Sequence, residues 1–258
     1  MNKNTKMLAL KLLDRFDKHI STQLLLLHYN RDRNGGPSFC GVRGPTRFTG
    51  LHGAAFLGIA RIFSTLLEIR EWDVNAYDCM GMTALTWAAR RGHGDFVTML
   101  LQADVNPHQA DTEYCRTPLW WAVEKGYEGV VRILLEREDV NTNQAYTGYG
   151  AAPLSWAAAS GHEGVVKMLL EREDVNPNQT DTGYGRTPLS WADVEGHERV
   201  VELLLERNDV HTATPDYGCQ TSLSLALCNK HAGVVRILER NDANSDAVSC
   251  GGQISLPP

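Results

Sequence analysis

The sequence predicts an all-α fold, a solenoid of about six helix-turn-helix repeats with extended finger loops and a degenerate N-terminal cap. Three observations predict it. The block Thr-x-Leu-x-x-Ala recurs at Thr49, Thr83, Thr117, Thr187 and Thr221, with Ala152 in place of the threonine once, at spacings of 34, 34, 35, 35 and 34 residues. A second apolar block closes each unit, at Ile62-Phe63, Phe96-Val97, Val130-Val131, Val165-Val166, Val200-Val201 and Val234-Val235. Between the two blocks stands a glycine, as at Gly92, Gly126, Gly161 and Gly196. Self-similarity at such a period marks stacked units that cannot bury their apolar faces alone.

The elements follow in chain order. Residues 1–45 are expected to form a degenerate helical cap and a basic loop. The cap carries Leu8, Leu12, Leu13, Phe16 and Leu24 to Leu27, and covers the end of the stack. The loop holds Arg31, Arg33 and Arg43 among glycines and prolines, with Arg47 just beyond. Residues 46–245 form the repeat array. In each repeat the threonine is a natural N-cap, since its hydroxyl accepts from a free N–H of the first turn. Pro118, Pro153 and Pro188 suit the first helical position, where a missing donor costs nothing. The glycine supplies a left-handed C-terminal cap. The second helix presents residues such as Val165, Val166, Met168 and Leu169 on one face and stops at Asp-Val-Asn-Pro, as at 174–177. From Asn75 to Thr83 is eight residues, but from Asn106 to Thr117, Asn141 to Ala152 and Asn176 to Thr187 it is eleven. The fingers before repeats three, four and five are therefore expected to be three residues longer, on a face where repeat proteins build binding surface. Residues 246–258 are expected to be a disordered tail.

Composition excludes several classes. Hydrophobic residues make up 43% and charged residues 22%, ordinary for a globular protein. No apolar run approaches the ~20 residues that a membrane span needs, and Lys11, Asp14 and Arg15 interrupt any signal-like stretch. Six cysteines are too sparse for a disulfide scaffold, which favours a reducing compartment, the cytoplasm ahead of the nucleus. Net charge is −6, but residues 1–48 hold nine Lys/Arg against three Asp/Glu while the rest hold 16 against 28. An acidic array favours a partner with a basic surface, and nucleic acid is not expected on it.

The stretches Gly-Arg-Thr-Pro-Leu-Ser-Trp-Ala at 185–192 and Gly-His-Glu-Gly-Val-Val-Lys-Met-Leu-Leu-Glu at 161–171 resemble the ankyrin repeat. The resemblance covers roughly residues 46–245. It implies helix pairs stacked in an L-shaped section, with a concave face made by fingers and first helices. It also implies a module that binds proteins. The near-identical copies are similar to the arrays of filamentous-fungal NLR-like proteins, in which such repeats form the recognition end beside a nucleotide-binding domain. One departure stands out. The family's histidine after Thr-Pro-Leu survives only as His52; the others are Thr86, Trp120, Ser155, Ser190 and Ser224.

No catalytic, cofactor or metal site is expected. His93, His162, His197 and His231 sit ten residues after the anchor, with Tyr127 in that place in repeat three. Neighbouring copies lie ~10 Å apart, the distance at which helices pack, so the ladder cannot close on one ion. Each histidine is expected to hydrogen-bond backbone at the turn between its own two helices. No Cys-x-x-Cys, phosphate-binding loop or nucleophile elbow is present. The Glu-Arg-Glu-Asp clusters at 136–139 and 171–174 read as a solvated acidic face.

Candidate partner contacts are residues that differ where the scaffold repeats. Arg90, Arg91, Glu124 and Lys125 precede the turn glycines and face the concave side by family analogy. Tyr114, Tyr149 and Tyr184 share one phase near the finger tips, and Tyr217 is displaced by one. These tyrosines are either braces packed on their own fingers or contacts, since aromatic residues dominate interfaces. Trp87, Trp121, Trp156 and Trp191 keep register and read as packing; Trp120 breaks register and joins the contact candidates. A regulatory or inhibitory subunit that occludes an enzyme surface is the alternative function.

Overall fold

A computed structural model describes residues 49–60, 73–78, 80–103 and 105–250, with side chains described as far as Asp242. The expected cap and basic loop, 1–45, lie outside the described residues, as do 251–258. Among the described residues are eleven helices and no strand. The chain divides into two compact units, Met1–Asn141 and Thr142–Pro258. In the first, α1 (Gly50–Leu57), α2 (Ala84–Arg91) and α4 (Pro118–Glu124) are successive first helices, and α3 (Gly94–Leu101) and α5 (Glu128–Leu135) are second helices. In the second, the first helices are α6 (Pro153–Ala159), α8 (Pro188–Glu195) and α10 (Ser222–Cys228). The second helices there are α7 (Glu163–Leu170), α9 (Glu198–Leu205) and α11 (Ala232–Cys250). Within each unit, first helices pack on first helices and second on second. Helix α11 continues to Cys250, through the opening positions of the expected tail.

The caps form as the residue types dictate. Thr83, Thr117 and Thr187 each accept a hydrogen bond from the N–H three residues on, at 3.1, 3.1 and 3.2 Å. At Thr49 the box is reciprocal: His52 Nδ1 accepts from Thr49 N at 3.1 Å, which leaves Nε2–H to donate to Ala76 O at 3.0 Å. Ala152 has no hydroxyl, and Ser155 Oγ in that repeat makes no hydrogen bond among the described residues.

The turn after each first helix is left-handed, with φ between 67° and 78° at Gly58, Gly92, Gly126, Gly161 and Gly196, and 63° at Lys230 in the last repeat. A second constraint acts on four of these glycines. A Cβ at Gly58, Gly92, Gly161 or Gly196 would meet the ring of His93, Tyr127, His197 or His231 at 2.5, 3.2, 2.7 or 2.5 Å. The imidazoles donate Nε2–H to the carbonyls of Phe56, Ala159 and Val194 at 3.1, 3.1 and 2.9 Å. Those carbonyls belong to the preceding repeat, which corrects the expectation of a bond within the histidine's own turn. The last carbonyls of a helix have no partner inside it, and the following repeat supplies one.

Finger lengths also need correction. Asp73, Asn106 and Asn176 are equivalent, because each accepts from the N–H two residues on, at 3.0 Å. Counted from these, the fingers before Thr117 and Thr187 are one residue longer than the finger before Thr83, not three. The extra residue lies at the tip. Short tips close with i to i+3 bonds, Gly81 N to Asp78 O and Cys219 N to Asp216 O. Long tips close with i to i+4 bonds, Cys115 N to Asp111 O and Gly150 N to Tyr146 O.

Candidate functional site

Each finger is organised by a buried residue at the start of its tip. Asp78, Asp111 and Asp181 are at most 2% exposed. Asp111 Oδ1 accepts from the backbone of Glu113 and Tyr114, and Asp181 Oδ1 from Gly183 and Tyr184. The other oxygen of each takes an indole N–H from the helix below: Trp87 to Asp78 at 2.6 Å, Trp121 to Asp111 at 3.1 Å and Trp191 to Asp181 at 2.9 Å. In the finger before Ala152, Tyr146 replaces the aspartate and meets Trp156 edge-on at 6.0 Å. The in-register tryptophans therefore pack, as their periodicity implies. These aspartates were not among the sequence candidates, although an Asp five or six residues before four of the anchors was the signal.

Outside this brace lie the tyrosines. Tyr149, Tyr184 and Tyr217 are 55%, 48% and 70% exposed. Tyr149 stacks on Tyr184 at 6.1 Å with 25° between planes. The Tyr149 ring also covers Gly183, and the Tyr217 ring covers Gly185, each closely enough that a Cβ there would clash. Backbone bonds join the same fingers, from Thr182 N to Tyr149 O and Tyr217 N to Tyr184 O, both 2.8 Å. Bracing and exposure coexist in these side chains, so neither sequence reading displaces the other. Tyr114 is half-buried beneath Arg116, whose guanidinium carbon is 4.1 Å from its ring centre.

Trp120 corrects the sequence reading. It is 3% exposed and meets Trp121 edge-on at 5.5 Å. A large side chain displaced from the tryptophan register fills the first-helix layer and contributes nothing to the surface. The residues at the ends of α2 and α4 do reach the surface. Arg91 and Lys125 are exposed, and Arg90 and Glu124 are half-buried. Lys125 Nζ pairs with Glu124 Oε2 at 3.1 Å.

The acidic clusters after the second helices are more than solvated faces. Arg137 holds Asp139 through two hydrogen bonds of 2.8 and 2.7 Å and donates to Leu101 O of the preceding repeat at 3.4 Å. Arg207 repeats this with Asp209 and Leu170 O. The arginine beside each of Asp139, Asp174 and Asp209 holds its carboxyl below the usual range. Asp193 behaves oppositely. It lies wholly buried in α8, and burial pushes its carboxyl up to about 7, only partly offset by the Ser222 hydroxyl. Among the described residues no group of His, Cys, Asp and Glu is arranged to hold a metal ion.

Comparison with known proteins decides the family. The model described as ankyrin repeats (3 copies) matches residues 9–111 and 104–181, and that described as ankyrin repeat matches 184–215. The chain belongs to the ankyrin-repeat family. An ankyrin repeat domain from Acinetobacter baumannii AYE superposes with a TM-score of 0.68 at 25% identity, over 74% of this chain and 97% of that one. A probable E3 ubiquitin-protein ligase of Oryza sativa subsp. japonica is 40% identical over 98 residues, covering 38% of this chain and 18% of the relative. A palmitoyltransferase of Drosophila melanogaster is 31% identical over 78 residues, 28% of this chain and 12% of the relative. The chain thus spans less than a fifth of these curated relatives. Ankyrin repeats bind protein partners, and no described helix is long and apolar enough to cross a membrane.

Proposed function

We propose that this ankyrin array is a non-enzymatic recognition module whose finger tips and first-helix ends contact a protein partner. One observation carries the reading: Tyr149, Tyr184 and Tyr217 project at 48–70% exposure from adjacent fingers that backbone hydrogen bonds tie together. Rigid aromatic side chains lose little entropy when they are covered, which is why such residues anchor interfaces. The proposed contacts are Tyr149, Tyr184 and Tyr217 in one unit and Arg90, Arg91, Tyr114, Glu124 and Lys125 in the other. A cytoplasmic or nuclear setting fits a chain whose described cysteines are free thiols. The relatives named as E3 ligases, in which the matching stretch is 18% of the length, support a recognition segment within a larger protein; a signalling or NLR-like setting rests on the likeness of the repeat copies alone.

The test is affinity capture from a cognate lysate with wild type and a Tyr149→Ala/Tyr184→Ala double variant, alongside circular dichroism. The expected result is a partner band reduced about tenfold or more at unchanged helicity. Equal capture by both proteins leaves the tyrosines as braces alone and moves the contact surface elsewhere. A partner that loses enzymatic activity on capture favours the inhibitory-subunit reading, which uses the same surface.

A further inference from the structure

We propose that the joint between α8 and α10 is a proton-operated latch: protonated Asp193 keeps the last described repeat docked, and ionised Asp193 lets it open. Six residues past the anchor, the first helices α1, α2, α4 and α6 carry Ala55, Ala89, Val123 and Ala158, each fully buried. In α10, the last first helix described, the same position is Leu227, and it is 56% exposed. Cover at this position therefore comes from the first helix that follows. In α8 the position holds Asp193, at 0% exposure, so α10 is what keeps this carboxyl from water. Ser190, one turn earlier on α8, and Ser222, at the start of α10, complete a buried polar cluster, with their hydroxyls 3.5 Å apart. Neither carboxyl oxygen of Asp193 has a hydrogen bond among the described residues.

A buried carboxyl without partners tolerates its neutral form and penalises the charged one. The elements packed against α8 supply no compensating charge. Helix α6 has no titratable side chain, and α10 has Cys228 alone, which is exposed, with exposed Lys230 just past its end. On α9, Glu198 and Arg199 are exposed, and half-buried Glu202 pairs with Arg199 at 2.9 Å and Arg240 at 3.9 Å. Glu195, on α8 itself, is exposed. His197 and His231 spend Nε2–H on the carbonyls of Ala159 and Val194, Asp181 is held by Trp191, and Asp216 by Arg186. Burial, offset in part by the Ser222 hydroxyl, thus sets the Asp193 carboxyl without help from any charge. Parting α10 from α8 hydrates Asp193 and relieves the penalty while the rest of the unit stays folded. Three contacts cross the same joint and open with it: His231 Nε2–H to Val194 O at 2.9 Å, Tyr217 N–H to Tyr184 O at 2.8 Å, and the Arg186–Asp216 pair at 3.4 Å. Tyr217 lies on the finger that leads into α10, so its share of partner binding is expected to be larger in mild acid than above pH 7. That consequence rests on the recognition reading above; the latch does not.

The experiment is hydrogen exchange of the full chain without a partner, at pH 5.5 and pH 8, with each rate corrected for the intrinsic effect of pH. Protection in α10 and at the Tyr217 amide is expected to fall about tenfold or more at the higher pH, while α6 and α7 change little. Asp193→Asn and Asp193→Ala, the second introducing the residue found at this position in α1, α2 and α6, are each expected to hold the joint closed at both pH values. His197 and His231 remain in both variants, so a slope that persists in them belongs to the imidazoles. Equal protection of α10 at both pH values in wild type, a fall shared equally by α6 and α7, or a slope retained by Asp193→Ala overturns the latch. If the joint opens as expected and partner capture is nevertheless equal at both pH values, the latch stands and Tyr217 leaves the list of contacts.

Discussion

Cys115 and Cys219 hold φ of 56° and 60°, at the finger position where Gly81, Gly150 and Gly185 hold 68°, 68° and 72°. For a residue with a Cβ this conformation costs about 1–2 kcal/mol, part of which glycine returns through its greater freedom in the unfolded chain. Cys219 is exposed, so its side chain contributes no packing. Cys219→Gly is expected to stabilise the second unit by about 0.5–1 kcal/mol in urea denaturation. Asp193 sets a second expectation. Its carboxyl stays protonated in the fold up to about pH 7, whereas an unfolded aspartate ionises near pH 3.8. Between those values the folded state binds more protons, so stability falls as pH rises and the penalty is complete above 7. Wild type is expected to be less stable at pH 8 than at pH 5 by an amount on the order of 2–3 kcal/mol, and Asp193→Asn to flatten that slope. Asp139, Asp174 and Asp209 act below this window, since their lowered carboxyls lose their stabilisation only on stronger acidification. A pH series of denaturation midpoints for both proteins measures the difference.

At the scale of the element, the sequence made the caps and turns legible because each rests on one residue's own geometry. Thr117, Pro118 and Gly161 behave as their types require. Contacts across repeats were harder to read, because a single repeat carries only half of each. The ring of His197 and the bare Cα of Gly161 are one such joint, with the imidazole donating to Ala159 O beside it. Tip length was misjudged for the same reason: Asn75 looked equivalent to Asn106 until the turn at Asp73 showed which residues correspond. Gly161→Ala should cost about 2 kcal/mol or more, from the left-handed backbone and a ring at 2.7 Å. His197→Ala alone should cost about 1 kcal/mol for the lost hydrogen bond. The double variant should lose less than the two together, since removing the ring removes the clash; strict additivity would show that glycine is required for backbone alone.

Over the whole chain, periodicity made the architecture readable and made the site hard to read. Repetition states what the scaffold needs, and recognition depends on departures from it. Trp120 was such a departure, yet it went into the interior; Arg116 and Arg186, which precede ordinary anchors, lie on aromatic rings instead. Net charge is no better a guide to the site, because the sum of −6 averages a basic head with an acidic array. Stability is better behaved, since each repeat contacts only its neighbours within a unit. Leu189 is fully buried in α8, which packs against α6 on one side and α10 on the other. Leu189→Ala removes apolar contact with both at once and is expected to cost about 2–5 kcal/mol. Native-state hydrogen exchange should then show protection falling in α6 and α10 as well as in α8. Loss confined to α8 would mean that the repeats fold as independent hairpins, and the nearest-neighbour account of this unit would fail.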